Sequence, residues 1–191
     1  MNTPTHVIAA AAILAKSGDN RCNMVVMAGA LIPDLSIYAL VIWAALAGRL
    51  DTSLWSETYW SEPWQTLGAV SNSVPLALVL LAISVWRAWP ILGVFAAALL
   101  VHAVLDLPVH ADDAHRHFWP VTDWRFVSPI SYWDSDHHGA YGRLLDCVIL
   151  LAGIAVLWRR FETSWVRWLL GLLAAMAAGL VCLNLWLAFA G

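Results

Sequence analysis

The sequence predicts an all-α membrane protein, a polytopic bundle of five or six helices with a long periplasmic loop rich in His and Asp. Of its 191 residues, 61% are hydrophobic, well above the roughly 45–50% of a soluble domain. The mean hydropathy is +0.71. Apolar runs close to membrane-spanning length follow one another without a polar module between them. A single integral membrane domain over residues 1–191 is therefore expected.

Five apolar runs are long enough, or nearly long enough, to cross a bilayer, which takes about 20 residues. A sixth run is shorter and is expected to tilt or to cross half of the membrane. Prolines at positions 33, 75 and 90 interrupt or separate these runs, because proline breaks the helical hydrogen-bond pattern. The predicted segments are 4–15, 23–47, 68–87, 90–106, 143–158 and 167–189.

Basic residues predict the orientation. Lys and Arg occur in three alternate connections, which the positive-inside rule assigns to the cytoplasm. The opposite loops, 48–66 and 107–142, should then face the periplasm. The net charge of -3 and the absence of a basic cluster from the sequence exclude nucleic acid as an expected partner. The basic residues in question are Lys16, Arg21, Arg87, Arg159, Arg160 and Arg167.

Polar residues recur at one depth of the predicted bundle. At a rise of about 1.5 Å per residue, five helices each place one such residue roughly 15–22 Å from the cytoplasmic end. An ionisable group costs about 2.5–3.5 kcal/mol inside a bilayer, so it normally faces the bundle interior and marks function. We therefore expect convergence on one site. The five are His6, Asp34, Asn72, His102 and Asp146.

Metal-ligating residue types are concentrated after the fourth long run. His102 and Asp106 are spaced i, i+4 and share one helical face, which suits a metal ion or a simple hydrogen-bonded pair. The loop 107–142 continues with "HADDAHRH" and "DSDHH" and contains neither Lys nor Glu. Solvated loops normally use Lys, Glu, Ser and Gln, whereas His and Asp ligate Zn, Mn and Fe. We expect this loop to fold back and complete a metal site.

Several short motifs occur along the chain: Thr5-His6, Pro33-Asp34, His102-x-x-x-Asp106, Trp119-Pro120 and Trp124-Arg125-Phe126 followed by Pro129. They resemble the motifs of the bacterial inner-membrane metal-dependent hydrolases, the family that includes the LexA-regulated membrane hydrolase. The chain departs from the family at Leu35 and Ser36, and at "VSNSVP", where the family has "HRGxTH". The family is more distantly similar to the zinc-dependent phospholipases C.

The resemblance implies a metal-dependent hydrolase in the bacterial inner membrane, with a phosphoester or lipid headgroup as substrate and membrane lipid as partner. One to three divalent ions, with zinc expected, would activate water. Asp106 or Asp136 is the candidate general base, and Asn72, Arg116 and Arg125 are candidate substrate contacts. Arg125 could equally pair with Asp123 or anchor at the interface. The candidate ligands are His6, Asp34, His102, Asp106, Asp112, Asp113, His115, His137 and His138.

A non-enzymatic membrane subunit is the alternative from another class. In it, the His/Asp cluster would be a structural metal site or a buried hydrogen-bond network, and the thirteen Trp residues would pack against a membrane-protein partner. Catalytic zinc keeps a coordination position for water. A cluster in which every polar atom bonds to another would therefore favour this alternative.

Overall fold

The computed structural model describes the backbone of residues 1–190 and the side chains of residues 1–179. Within this part of the chain every regular element is helical. Short 3-10 turns occur at Ile32–Asp34, Leu107–Val109 and Ser135–His137, and a π-helical turn at Leu54–Thr58. The helices are α1 Thr3–Leu14, α2 Asn20–Leu31, α3 Leu35–Leu46, α4 Glu62–Ser71, α5 Val74–Arg87, α6 Pro90–Asp106, α7 Gly139–Arg160 and α8 Ser164–Ala190.

Among the described residues, four helical stretches are long and apolar enough to cross a membrane. Two further apolar helices, Thr3–Leu14 and Ser164–Gly179, are shorter. Large apolar side chains such as Leu46, Val85 and Trp86 point outwards, as expected where lipid replaces water. These helices indicate a membrane protein, while the number of spans stays a prediction. The four stretches are Asn20–Leu46, Glu62–Arg87, Pro90–Val109 and Gly139–Arg160.

Small side chains allow α1, α2, α6 and α7 to pack closely. Ala10, Ala30 and Ala98 are completely buried in one core cluster, together with Val26 and Ile154. Small residues at such contacts let helix backbones approach each other, which is a main source of stability between helices in lipid. The short α1 is thereby held inside the bundle, where its first turns carry Thr5 and His6.

Gly29 lies where α2 packs closely against α6. A Cβ atom at this position would lie 2.7 Å from the carbonyl oxygen of Phe95 and 2.8 Å from Cβ of Ala98. Gly29→Ala is therefore expected to destabilise the bundle by about 1–3 kcal/mol, because backbone would have to shift. Thermal unfolding in detergent measures the loss.

The matched control for this prediction is Gly171→Ala in α8, where the added Cβ would lie 3.8 Å from Trp158. This is ordinary van der Waals contact, so the higher helix propensity of alanine should leave stability unchanged or raised. Equal unfolding temperatures for the Gly29→Ala protein and the wild type would contradict the close packing of α2 on α6.

Pro33 divides the first long apolar run into α2 and α3. It lies in the Ile32–Asp34 turn, because proline has no N–H and cannot continue the α-helical pattern. The predicted run 23–47 is thus two helices. The turn sets Asp34 at the start of α3, next to the end of α6.

The lid, defined here as residues 107–138, is mostly irregular and crosses the end of the bundle where α1 begins and α6 ends. Backbone hydrogen bonds fix it: Tyr132 N–H donates to the Val109 carbonyl (3.0 Å), and Ser128 N–H to that of His110 (2.9 Å). Val74 N–H, at the start of α5, donates to the His117 carbonyl (2.8 Å). The lid therefore folds back on itself at the start of its His-rich part and is hydrogen-bonded to α5 at the end of that part.

Candidate metal centre

Two histidine rings from different helices lie face to face beneath the lid. His6 in α1 and His102 in α6 are fully buried, with ring centroids 3.6 Å apart and planes inclined by 11°. One donor atom from each ring and one carboxylate oxygen of Asp106 all lie within 4.8 Å of one another. Two imidazoles and a carboxylate are a common ligand set for zinc. We call these three residues the first group.

The hydrogen bonding of His102 determines which of its nitrogens can bind an ion. Nδ1 lies 2.7 Å from the carbonyl oxygen of Ala30, and a carbonyl only accepts, so Nδ1 carries the proton. In a neutral ring, Nε2 then carries the lone pair. That nitrogen lies 3.1 Å from Asp106 Oδ2 and 3.6 Å from Asp34 Oδ1. A lone pair facing two carboxylates needs a cation, either a proton or a metal ion.

Asp106 contacts three histidines, His6, His102 and His110. It ends α6, is only 2% exposed, and its Oδ1 lies 2.9 Å from His6 Nε2 and 3.2 Å from His110 Nε2. The contact with His6 lacks hydrogen-bond geometry, since both ring nitrogens of His6 are without a hydrogen-bond partner among the described residues. Two side chains that bind the same ion lie close together in this way, without a hydrogen bond between them.

A second group of donor atoms shares Asp106 with the first. Asp106, His110 and His115 bring one ligand atom each within 4.8 Å of one another. The backbone nitrogen of Met1 lies 2.6 Å from Asp106 Oδ1 and 3.2 Å from His110 Nε2. The Met1 nitrogen therefore contacts Asp106, which both groups share, and also His110 of the second group.

Asp113 orients His110. His110 Nδ1 lies 2.8 Å from Asp113 Oδ2, which also accepts a hydrogen bond from Trp133 Nε1 at 2.9 Å. Burial lowers the pKa of His110, but its hydrogen bonds to Asp106 and Asp113 outweigh this and raise the pKa to about 9. A carboxylate that holds the far nitrogen of an imidazole typically supports a metal ligand, and ion binding here would release a proton.

His115 and His117 extend the cluster as neutral imidazoles. Burial lowers the pKa of His115 to about 3, with the nearby charge of His110 adding to the effect, and lowers that of His117 to about 4. Their rings stack with centroids 5.6 Å apart. Neither nitrogen of the buried His117 has a hydrogen-bond partner within the described chain. Both side chains can therefore donate a lone pair at neutral pH.

The remaining predicted ligands lie on the outside of the lid. The structure groups Asp112 with Asp134 and His137 as a third, more exposed set, in which His137 Nδ1 lies 2.7 Å from Asp134 Oδ2. That hydrogen bond raises the pKa of His137 and lowers that of Asp134. His138 and Asp136 are exposed. The "DSDHH" stretch therefore does not join the buried groups.

The three predicted substrate contacts have different surroundings. Asn72 is buried, and its Nδ2 donates to the Gly68 carbonyl while Oδ1 has no partner in the described part of the chain. Arg125 donates to the Ala114 carbonyl (2.7 Å) and to Gln65 Oε1 (2.8 Å), so it fastens the lid to α4. Asp123, an expected partner of Arg125, contacts Arg116 instead.

Asp146 lies near the predicted depth but outside the three groups. Its two oxygens accept hydrogen bonds of 2.9 Å from the backbone and side-chain nitrogens of Asn2. This carboxylate therefore holds the start of α1 against α7. It also provides a buried acidic residue, 6% exposed, for comparison with Asp106.

His110 and His117 are the two site residues that sequence reasoning did not select. The spacing of His110 could have identified it, because His102, Asp106 and His110 follow one another at intervals of four residues. His117 lies in an irregular segment, where side-chain direction has no period. No comparable signal marks it.

The donor set fits a divalent metal ion. Nitrogen and carboxylate donors converge in a buried space, and several of them have no hydrogen-bond partner among the residues described, including both nitrogens of His6 and Oδ2 of Asp34. Buried polar atoms in folded proteins are nearly always partnered. The cluster is therefore not a closed network of mutual hydrogen bonds.

Comparison with known proteins finds no matching family model, no matching curated protein and no matching solved structure. The motif resemblance to the inner-membrane hydrolases therefore stays a prediction.

Proposed function

We propose that this protein is a membrane-embedded metal-dependent hydrolase that cleaves a phosphoester or lipid headgroup. The observation that carries the proposal is the meeting of His6, His102 and Asp106 beneath the lid, with Asp34 beside them. A divalent ion, with zinc expected from the His/Asp donors, would be held by this first group. A second ion would use the second group, Asp106, His110 and His115.

When bound, the metal would supply a water molecule with a pKa near 7 and would polarise the phosphoryl oxygen. The chain's own residues position that chemistry. Ala30 and Asp113 fix the ring orientations of His102 and His110. Asp106 is proposed as a ligand shared by both groups rather than as a general base, because its oxygens already face three imidazoles.

The proposed location is the bacterial inner membrane, with the lid on the periplasmic side. Support comes from the sequence, in which the connections that contain Lys and Arg alternate with the loops on the side of the lid. Arg160 Nη1 donates to the Ala15 carbonyl at 2.7 Å, so the basic connections after α1 and α7 lie at one end of the bundle. The site at the opposite end would then meet lipid headgroups, which makes membrane lipid the proposed partner.

Metal removal tests the proposal. Treating the detergent-purified protein with a chelator is expected to abolish hydrolysis of a chromogenic phosphodiester, and stoichiometric zinc is expected to restore it, because no covalent nucleophile is invoked. The matched control is His138→Ala, which changes an exposed imidazole outside the buried groups. This variant should lose and regain activity as the wild type does. Hydrolysis that survives complete metal removal would contradict a metal-dependent reaction.

The second candidate is a non-enzymatic membrane subunit with a structural metal site. The contacts of Asp106 favour this second candidate, since three imidazoles and the Met1 nitrogen already surround the carboxylate. A structural site would bind metal stoichiometrically and raise the unfolding temperature without any turnover. Metal binding and hydrolysis measured on one preparation separate the two functions.

A further inference from the structure

Arg116 carries a buried guanidinium group with one unused edge. The residue is 8% exposed, and its Nη1 donates to Glu62 Oε1 at 3.0 Å and to Asp123 Oδ1 at 3.2 Å. Its Nε and Nη2 are buried and have no hydrogen-bond partner among the described residues. A charged donor left without an acceptor is more costly than a neutral one. An acceptor at this edge is therefore expected.

The geometry of the unused edge favours an oxyanion. Nε and Nη2 lie side by side in the guanidinium plane and donate in parallel, which matches two oxygens of a carboxylate or phosphate. Glu62 and Asp123 contact the other side of the group, and both are about three-quarters exposed. Their charges are screened by water, so the buried edge still attracts an anion.

Arg116 lines a cleft that it shares with His115. Helix α3 contributes Ile37 and Leu40 to one wall, α4 contributes Trp64 and Gln65, and the lid contributes His115 next to Arg116. His115 also belongs to the second group. An anion at Arg116 would therefore lie beside the donors that are proposed to hold metal, with an apolar wall on its other side.

The cleft is narrow. It holds about 350 Å³ of empty space out to its open mouth. Nε and Nη2 of Arg116 have almost no accessible surface, so an anion would contact them only when the cleft widens, with the rest of the ligand towards the mouth. The partly exposed Trp64 would contact an apolar chain there.

We infer that the cleft between α3, α4 and the lid binds the phosphate group of the substrate through Nε and Nη2 of Arg116. This inference rests on the proposed function and names its substrate class, a phosphoester whose phosphate lies between Arg116 and the His115 side of the centre. Arg116 is proposed in preference to Arg125, because both terminal nitrogens of Arg125 already donate to protein oxygens.

Phosphate binding to Arg116→Gln tests the inference. Inorganic phosphate is titrated into the full chain in detergent, with and without chelator, and followed by calorimetry. Losing a bidentate, charged contact should weaken binding by about 10- to 100-fold in both conditions. The matched control is Arg49→Gln, an exposed arginine outside the cleft that lies over Trp43, which should bind as the wild type does.

Two further arms complete the experiment. Arg116→Lys keeps the charge but loses the parallel edge, so its binding should fall between that of the wild type and of Arg116→Gln, and it replaces the Gln variant if that protein fails to fold. Dioctanoyl phosphatidic acid in micelles is compared with glycerol phosphate. Tighter binding of the lipid assigns the cleft to lipid headgroups, and equal binding assigns it to soluble phosphoesters.

Two results would overturn the inference. Phosphate binding by Arg116→Gln as tight as that of the wild type would place the phosphate elsewhere. No phosphate binding by the chelator-treated wild type would mean that only water reaches the buried edge. Failure of the proposed function would give a different result. In that case the wild-type protein would bind no metal, whether or not Arg116 binds phosphate.

Discussion

Asp106→Asn is expected to remove the bound divalent metal and to abolish hydrolysis. The carboxylate is the only member common to the first and second groups, so the substitution takes a charged ligand from both. Substituting residues that merely orient metal ligands costs about 10- to 100-fold in affinity, and removal of a shared ligand should exceed that range. Elemental mass spectrometry of the purified variant measures the loss.

Asp146→Asn is the matched control for this substitution. Asp146 is also a buried carboxylate, 6% exposed against 2% for Asp106, but its partner is Asn2. It should keep wild-type metal content even if stability falls. If Asp106→Asn retained stoichiometric metal, the ions would have to lie away from the buried groups.

His102→Ala is expected to have the second-largest effect, with loss of metal from the first group and loss of turnover. The ring supplies the nitrogen that faces Asp106 and Asp34, and it stacks on His6. Its removal also leaves the Ala30 carbonyl without this donor, so thermal stability should fall as well. Metal content, turnover and unfolding temperature are measured together.

His138→Ala again serves as the control, since it removes an imidazole from the exposed side of the lid. It should retain metal, activity and stability. A His102→Ala protein that is less stable but keeps full metal content and turnover would mean that His102 has only a packing role. The proposed centre would then be wrong.

The helical architecture could be predicted because hydropathy and chain length constrain it strongly. Hydropathy did not identify α4 correctly, since the predicted run 68–87 begins inside this helix and crosses the break at Asn72 and Ser73. The start of α4 carries Glu62 and Gln65, and mean hydropathy does not detect a helix with such a polar side. The predicted helix bounds therefore differ from the observed bounds where a helix is only partly apolar.

The meeting of His6, Asp34 and His102 could be predicted from depth, because helical rise per residue is constant, and Asp106 follows from its i, i+4 spacing with His102. The same argument included Asp146, which instead holds Asn2, since depth does not determine the direction in which a side chain points around the bundle.

The sequence did not show which residues of the lid face the buried groups and which face outwards. Adjacent residues face opposite ways, with Asp113 turned towards His110 and Asp112 towards the outer group. The segment has neither a helical nor a strand period from which direction could be read. Its hydrogen bonds to the helices, such as that from Val74 to His117, fix these directions only in the folded chain.

The metal content of the wild-type protein is the most direct test of the central claim, that the buried His/Asp groups bind divalent ions. Detergent-purified protein is analysed by elemental mass spectrometry after equilibration with zinc and removal of the excess. We predict at least one tightly held equivalent of zinc per chain, which is lost in Asp106→Asn and kept in Asp146→Asn. A folded wild-type protein that retains no divalent metal would contradict the claim.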